Sequence, residues 1–241
     1  MKPFVLLASR AEDDAADGEY AAFLQHGGLA PDELVRVRLE AGPMPHIDLD
    51  AISGIIVGGS PFDASAAHKS PVQQRVEAEM SALLDDVVAR DLPFLGACYG
   101  VGTLGVHQGA TIDSTYAEPV GAVRVTLTDE GRADPLLADV PDAFDAFVGH
   151  KEACRVLPPT AVLLASSPTC PVQMFRVRRN LYATQFHPEL DVPGIQGRVR
   201  TYATYGYFPP AELEEVLTRV EAADVWAPPR VLAAFVRRYR R

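Results

Sequence analysis

Cysteine is scarce in this chain. There are three among 241 residues, Cys98, Cys154 and Cys170, with no C-x-x-C spacing between them. A number so small and odd argues against a disulfide scaffold or a zinc site and fits a reducing cytoplasm. Long apolar runs are missing too. No stretch approaches the ~20 residues of a membrane span, and the opening Met1-Lys2-Pro3-Phe4-Val5-Leu6-Leu7-Ala8 has too short an apolar core for a signal peptide. That segment reads as a first strand, and no membrane partner is expected. Basic charge is in deficit: 22 Lys and Arg stand against 32 Asp and Glu, a net charge of −10. A nucleic-acid footprint needs clustered Lys and Arg, so none is expected here. The one basic cluster, Arg237-Arg238-Tyr239-Arg240-Arg241, reads as a solvated helix C-terminus whose cations complement the dipole. Four histidines, His26, His46, His68 and His107, have no ligand spacing, so neither a metal nor another cofactor is expected. There is no internal repeat and no low-complexity segment.

What is present is a composition 48% hydrophobic and 22% charged, that of a globular protein, at a length that suits one α/β domain over residues 1–241. Residues 4–8 predict a strand, Glu12–Gln25 a helix ended by Gly27-Gly28, and Leu34–Leu39 a strand with one solvated face. Ile52–Ser60 is a buried β-branched strand with a glycine-rich exit, as in a central parallel strand that delivers a loop to the ligand edge of an open sheet. Ser70-Pro71 predicts a helix start, and Pro93–Ala97 the next strand. After residue 120 the pattern changes to short strands with few helices, which predicts an antiparallel section with a hairpin turn at Arg178-Arg179-Asn180. Beyond Glu189 comes a poorly defined loop and helix to Gly206, then helices opened by Pro209-Pro210 and Pro228-Pro229.

The chemistry centres on Gly96-Ala97-Cys98-Tyr99-Gly100. An apolar strand running into a G-x-C-x-G turn is a nucleophile elbow with sulfur in place of oxygen. The turn puts Cys98 at the start of a helix, a setting that commonly lowers a thiol pKa. A base is supplied by Gln185-Phe186-His187-Pro188-Glu189, where Pro188 forces an extended path and Glu189 can fold back to hold one imidazole nitrogen. Gly58-Gly59 has three readings. A phosphate loop would need a lysine in pattern, and Lys69 is out of pattern. The better reading is an oxyanion hole in which the Gly59 and Tyr99 amides converge; a plain structural turn is the third. Cys154 and Cys170 lack flanking glycines and read as small buried residues.

Together these residues resemble the class I glutamine amidotransferases, most closely the amidotransferase domain of GMP synthase and its free-standing relatives. The resemblance covers roughly residues 50–190 and rests on Ile-Ile-Val-Gly-Gly-Ser (55–60), Gly-Ala-Cys-Tyr-Gly (96–100), Gly-His-Lys-Glu…Leu-Pro (149–158), Cys170-Pro171 and Gln-Phe-His-Pro-Glu (185–189). It implies a flavodoxin-like fold with a mixed, mostly parallel central sheet flanked by helices, followed here by a helical extension over 191–241. It also implies release of ammonia from glutamine through a thioester on Cys98, with His187 as base and then acid, Glu189 as orienter, Gly58, Gly59 and Tyr99 at the oxyanion hole, and the Gly149-His150 backbone on the substrate's α-amino and carboxylate groups. Two positions depart from the family pattern. Gly102 stands where the family has a substrate-contacting glutamine, and Gly149-His150-Lys151-Glu152 stands for Ser-His-Gly-Asp. A γ-glutamyl peptide or γ-glutamyl amine hydrolase is therefore the alternative, and a catalytically silent regulatory subunit a third reading. No Ser-Gly-Gly-x-Asp-Ser phosphate loop is present, so ammonia made for synthesis implies a separate synthetase partner.

Overall fold

The computed structural model describes residues 2–241. Strand and helix alternate through its first part: β1 (Phe4–Ala8), α1 (Asp13–Gly27), β2 (Leu34–Arg38), β3 (Gly54–Val57), α2 (Pro71–Ala89), β4 (Phe94–Ala97) and α3 (Tyr99–His107). Local signals set the helix ends. Gly28 closes α1 in the left-handed region at φ 61°, where its N–H reaches the Gln25 carbonyl. The Ser70 hydroxyl accepts from the Gln73 N–H and Pro71 takes the first helical position of α2.

Short strands dominate the next stretch: β5 (Thr111–Asp113), β6 (Glu118–Leu127), the small helix α4 (Asp129–Ala133), β7 (Ala143–His150), β8 (Ala153–Val156), β9 (Ala161–Ser166), β10 (Met174–Val177) and β11 (Leu181–Thr184). Three helices complete the chain: α5 (Val192–Thr201), α6 (Leu213–Glu221) and α7 (Pro228–Tyr239). The nine-stranded sheet runs β2-β1-β3-β4-β11-β10-β9-β6-β7. Pairing is parallel from β2 to β11 and antiparallel from there on, so β10 and β6 alone oppose the other strands. The central sheet is thus mixed and mostly parallel, as the family resemblance implied.

Strand alternation sorts the core onto two faces. Phe4 and Leu6 of β1 pack with Phe23 of α1 and Phe235 of α7. Val5 and Leu7 pack with Val76, Met80 and Leu84 of α2 on the other side. A third cluster sets Ile195 of α5 and Val216 of α6 against Val120 and Phe147. One feature lay outside the sequence pattern. β5 and β8 form a separate two-stranded sheet, too short to show a period. The helix expected after Glu189 is α5, capped by Asp191, whose side chain accepts from the Gly194 N–H. The terminal basic cluster is an exposed helix end, as expected: Arg237 and Arg238 lie in the last turn of α7, and Arg240 Nη2 donates to Glu33 and to the Gly28 carbonyl at the surface. Among the described residues no helix is long and apolar enough to cross a membrane.

Candidate active site

At the end of β4, Cys98 stands at φ 53°, a left-handed conformation that costs a non-glycine residue energy and lifts its side chain off the strand-to-helix turn. Close packing requires glycine on the strand side. A Cβ at Gly96 would lie 2.6 Å from the Gly100 Cα. The Cys98 N–H donates to the Thr184 carbonyl at 2.7 Å, tying the elbow to β11. Three residues further along the same segment is His187, whose N–H donates to the Phe147 carbonyl of β7 at 3.0 Å. Two adjacent strands therefore deliver Cys98 and His187 to the lining of one cavity.

His187 is buried, and its Nδ1 lies 2.8 Å from Glu189 Oε1. Arg198 of α5 approaches the same pair, with Nη1 2.9 Å from His187 Nδ1 and Nη2 donating to Glu189 Oε1 at 2.8 Å. Arg198 Nη2 also reaches Glu19 Oε1 of α1 at 3.1 Å, and Arg10 Nε donates to that same oxygen at 3.0 Å. The result is a buried chain of alternating charge, Arg10, Glu19, Arg198 and Glu189, that ends on the His187 imidazole. Burial lowers the His187 pKa from its ordinary 6.5, with Glu189 opposing and Arg198 reinforcing the shift. Burial works to raise the Glu189 pKa, but the His187 and Arg198 charges outweigh it and hold the carboxylate far below its ordinary range.

Two expectations need correction. Cys98 was expected to have a lowered pKa; instead burial pushes its thiol up to about 12, with the Arg10 cation opposing. Part of its surface is open, but its neighbours Tyr99 and His187 are buried, and the dry surroundings outweigh the helix terminus. The second concerns Gly58 and Gly59. The Gly58 N–H donates to the Leu7 carbonyl and the Gly59 N–H to Glu19 Oε1, both at 3.1 Å, so neither amide faces Cys98 with a free donor. The glycine pair has a steric reason. A Cβ at Gly58 would collide with the Glu19 carboxylate, and one at Gly59 would lie 2.5 Å from Arg10 Nη2 and 2.8 Å from His187 Cε1. Tyr99, at the first position of α3, keeps an amide with no partner inside the helix.

Cys98 lies between two chambers, which share Ser60, Cys98, Gly149 and Tyr207 as lining. One is polar and includes His150, Lys151, Glu152 and Gln185. Its walls are tied together by Glu152, which accepts from the Ala64 and Ser65 amides at 2.6 and 2.7 Å, and by Lys151, whose Nζ lies 4.5 Å above the Tyr207 ring. The His150 ring is held by Glu118 Oε2 at 2.8 Å, and Gly149 is kept small by Val120, 2.9 Å from where a Cβ would be. Gly102 opens onto the same chamber. A Cβ there would lie 3.0 Å from Ala64 Cβ and 3.3 Å from Glu152 Oε1, so the 60–66 loop occupies the space of a longer side chain. The other chamber contains His187 and Arg198 and is walled by α5 and the segment after it. Among the described residues no cluster suited to a metal ion exists.

Arg10, Glu19 and Arg198 escaped the sequence reading. Glu19 and Arg198 lie on helices, where an isolated charge reads as a solvated face. Arg10 did carry a signal, since it follows the C-terminal end of a parallel strand, where open sheets place their ligands.

The model of the family described as glutamine amidotransferase class-I matches residues 33–196, more than half of the chain. GMP synthase (glutamine-hydrolyzing) of Edwardsiella ictaluri (strain 93-146) is 29% identical over 144 residues, 57% of this chain and 25% of that protein. The enzyme of the same description from Cellvibrio japonicus (strain Ueda107) is 24% identical over 197 residues, 78% of this chain and 33% of that protein. The chain thus spans a quarter to a third of the length of these curated relatives. Among solved structures, a glutamine amidotransferase from Thermotoga maritima aligns with TM-score 0.73 at 19% identity, covering 99% of this chain and 98% of that one, a likeness of fold.

Proposed function

The chain belongs to the glutamine amidotransferase class-I family, and from that premise we propose that it is a cysteine-dependent hydrolase of γ-glutamyl amides, with glutamine as the parent substrate. One observation carries the reading: Cys98 and His187 line one cavity while Glu189 stands 2.8 Å from the far imidazole nitrogen. The raised thiol and lowered imidazole pKa favour a neutral resting pair, in which His187 acts as base at the moment of attack. The thiol proton passes to His187 Nε2 as sulfur bonds to the amide carbon and the carbonyl π electrons move onto oxygen, where the Tyr99 N–H is the available donor. Collapse breaks the C–N bond, and His187 gives the proton to the departing nitrogen. Water then attacks the thioester, loses a proton to His187, and releases glutamate as the sulfur recovers its proton.

A γ-glutamyl peptide or amine hydrolase is the second reading, favoured by the Gly102 site, where Ala64 and Glu152 leave no room for the family's glutamine. Where glutamine is the substrate, ammonia would pass to a synthetase, since the curated relatives carrying this domain are GMP synthases. Three free cysteines fit a cytoplasmic setting.

The deciding experiment is covalent capture. A glutamine-mimicking electrophile should label the wild-type chain at a single site, and Cys98→Ala should abolish both labelling and γ-glutamyl hydrolysis, a loss of at least about 10³-fold. Labelling or turnover that persists in Cys98→Ala would overturn the assignment.

A further inference from the structure

Two chambers meet at Cys98, and they differ in chemistry. His187 lines only one of them. If the imidazole protonates the departing nitrogen, as in the reading above on which this inference rests, the leaving group exits on the His187 side. Ammonia needs no wall there. Yet that chamber has an apolar and aromatic lining, including Ile195, Val199, Tyr202 and Phe208.

Of its two cations, Arg10 is 4% exposed. Arg10 Nε donates to Glu19, and the guanidinium carbon lies 5.3 Å from the centre of the Tyr202 ring. The Tyr202 hydroxyl beside it can take one of the Nη hydrogens while itself donating to Glu12. The remaining Nη donors have no acceptor among the described residues. Arg198, the other cation of this chamber, has both Nη groups engaged by His187, Glu19 and Glu189. Both carboxylates of the network are essentially inaccessible, at 1% for Glu19 and 0% for Glu189. The chamber lining thus includes two arginines and no acidic residue. A desolvated guanidinium with free donors matches a carboxylate and rejects a second cation.

We propose that this chamber is a leaving-group subsite in which Arg10 binds the free carboxylate of an apolar or aromatic amino acid, making γ-glutamyl amino acids the preferred substrates over glutamine and over γ-glutamyl polyamines. Water and the γ-glutamyl amino acid yield glutamate and the free amino acid, with the proton path already described.

The test compares kcat/KM of the wild-type chain for γ-glutamyl-phenylalanine, its carboxamide, glutamine and γ-glutamyl-putrescine. The carboxylate should exceed the carboxamide by about 10- to 100-fold, the range of one charge-assisted hydrogen bond, and the putrescine compound should be the poorest. Arg10→Gln should flatten the carboxylate-to-carboxamide ratio while glutamine turnover falls less, and Arg10→Lys should restore part of the ratio. If Arg10→Gln does not fold, the wild-type ratio decides by itself. Equal rates for carboxylate and carboxamide, with glutamine still hydrolysed and Cys98 still labelled, would overturn the subsite and leave the hydrolase reading standing. No turnover of any compound and no labelling of Cys98 would overturn both.

Discussion

On His187 one nitrogen meets two opposite demands. Glu189 asks Nδ1 to donate, and Arg198 asks it to accept. In the proposed reaction only the tautomer with the proton on Nδ1 leaves Nε2 free to receive a proton from Cys98, so there the carboxylate would support the base and the guanidinium oppose it. Arg198 also lowers the His187 pKa. Its sign follows directly: attack needs neutral imidazole, so the acid limb of kcat/KM lies below 6.5, and losing the cation moves it upward. Arg198→Met should therefore shift that limb to higher pH; a pH–rate profile with an unmoved limb would refute the coupling. Cys98, His187 and Glu189 were legible in the sequence because each lies in a short motif whose geometry is local. The Arg10–Glu19–Arg198 network was not, because its members come from three distant elements and only the tertiary fold brings them together.

The turn between β4 and α3 looks symmetric in sequence, with a glycine on either side of Cys98, but it is not symmetric in space. Gly96 faces backbone that cannot yield, whereas a Cβ at Gly100 meets nothing within 4 Å. Gly96→Ala should destabilise the fold by about 1–3 kcal/mol, while Gly100→Ala should be neutral or slightly stabilising through helix propensity. Urea denaturation of the two variants checks the contrast, and equal effects would contradict it. Most elements were readable for the same reason that this turn was: caps such as Ser70 and Gly28 and unbroken apolar strands such as β3 declare themselves within a few residues. The β5–β8 ribbon was not, since strands of three and four residues carry too little alternation.

Across the whole molecule, two buried carboxylates brace the ligand edge of the sheet. Glu118 on β6 is held below its ordinary 4.5: burial works to raise it, but hydrogen bonds from His150, Thr169 and Gln173 prevail. Glu189 is held lower still. Because both pKa values fall on folding, each group contributes stability above the ordinary carboxylate range that is lost as pH falls through it. Thermal scans should show a Tm nearly level from neutral pH to about 5 and a steep decline below. Glu118→Gln should lower Tm at neutral pH and shrink that decline; an unchanged acid slope would count against the role. The antiparallel end was legible as a run of short strands, but not the carboxylate cluster behind it, because Glu118 and His150 are 32 residues apart and nothing in the local sequence pairs them.

The proposed nucleophile, Cys98, follows β4 and the proposed base, His187, follows β11, and those two strands are bonded to each other in parallel from Phe94–Leu181 to Ala97–Thr184. Neither group sits on a flap that could drift away while the rest endures. Gentle warming has no partial route to silence such a site, so inactivation and loss of circular dichroism should trace one sigmoid, and an enzyme that died several degrees before it melted would show the two strands parting on their own.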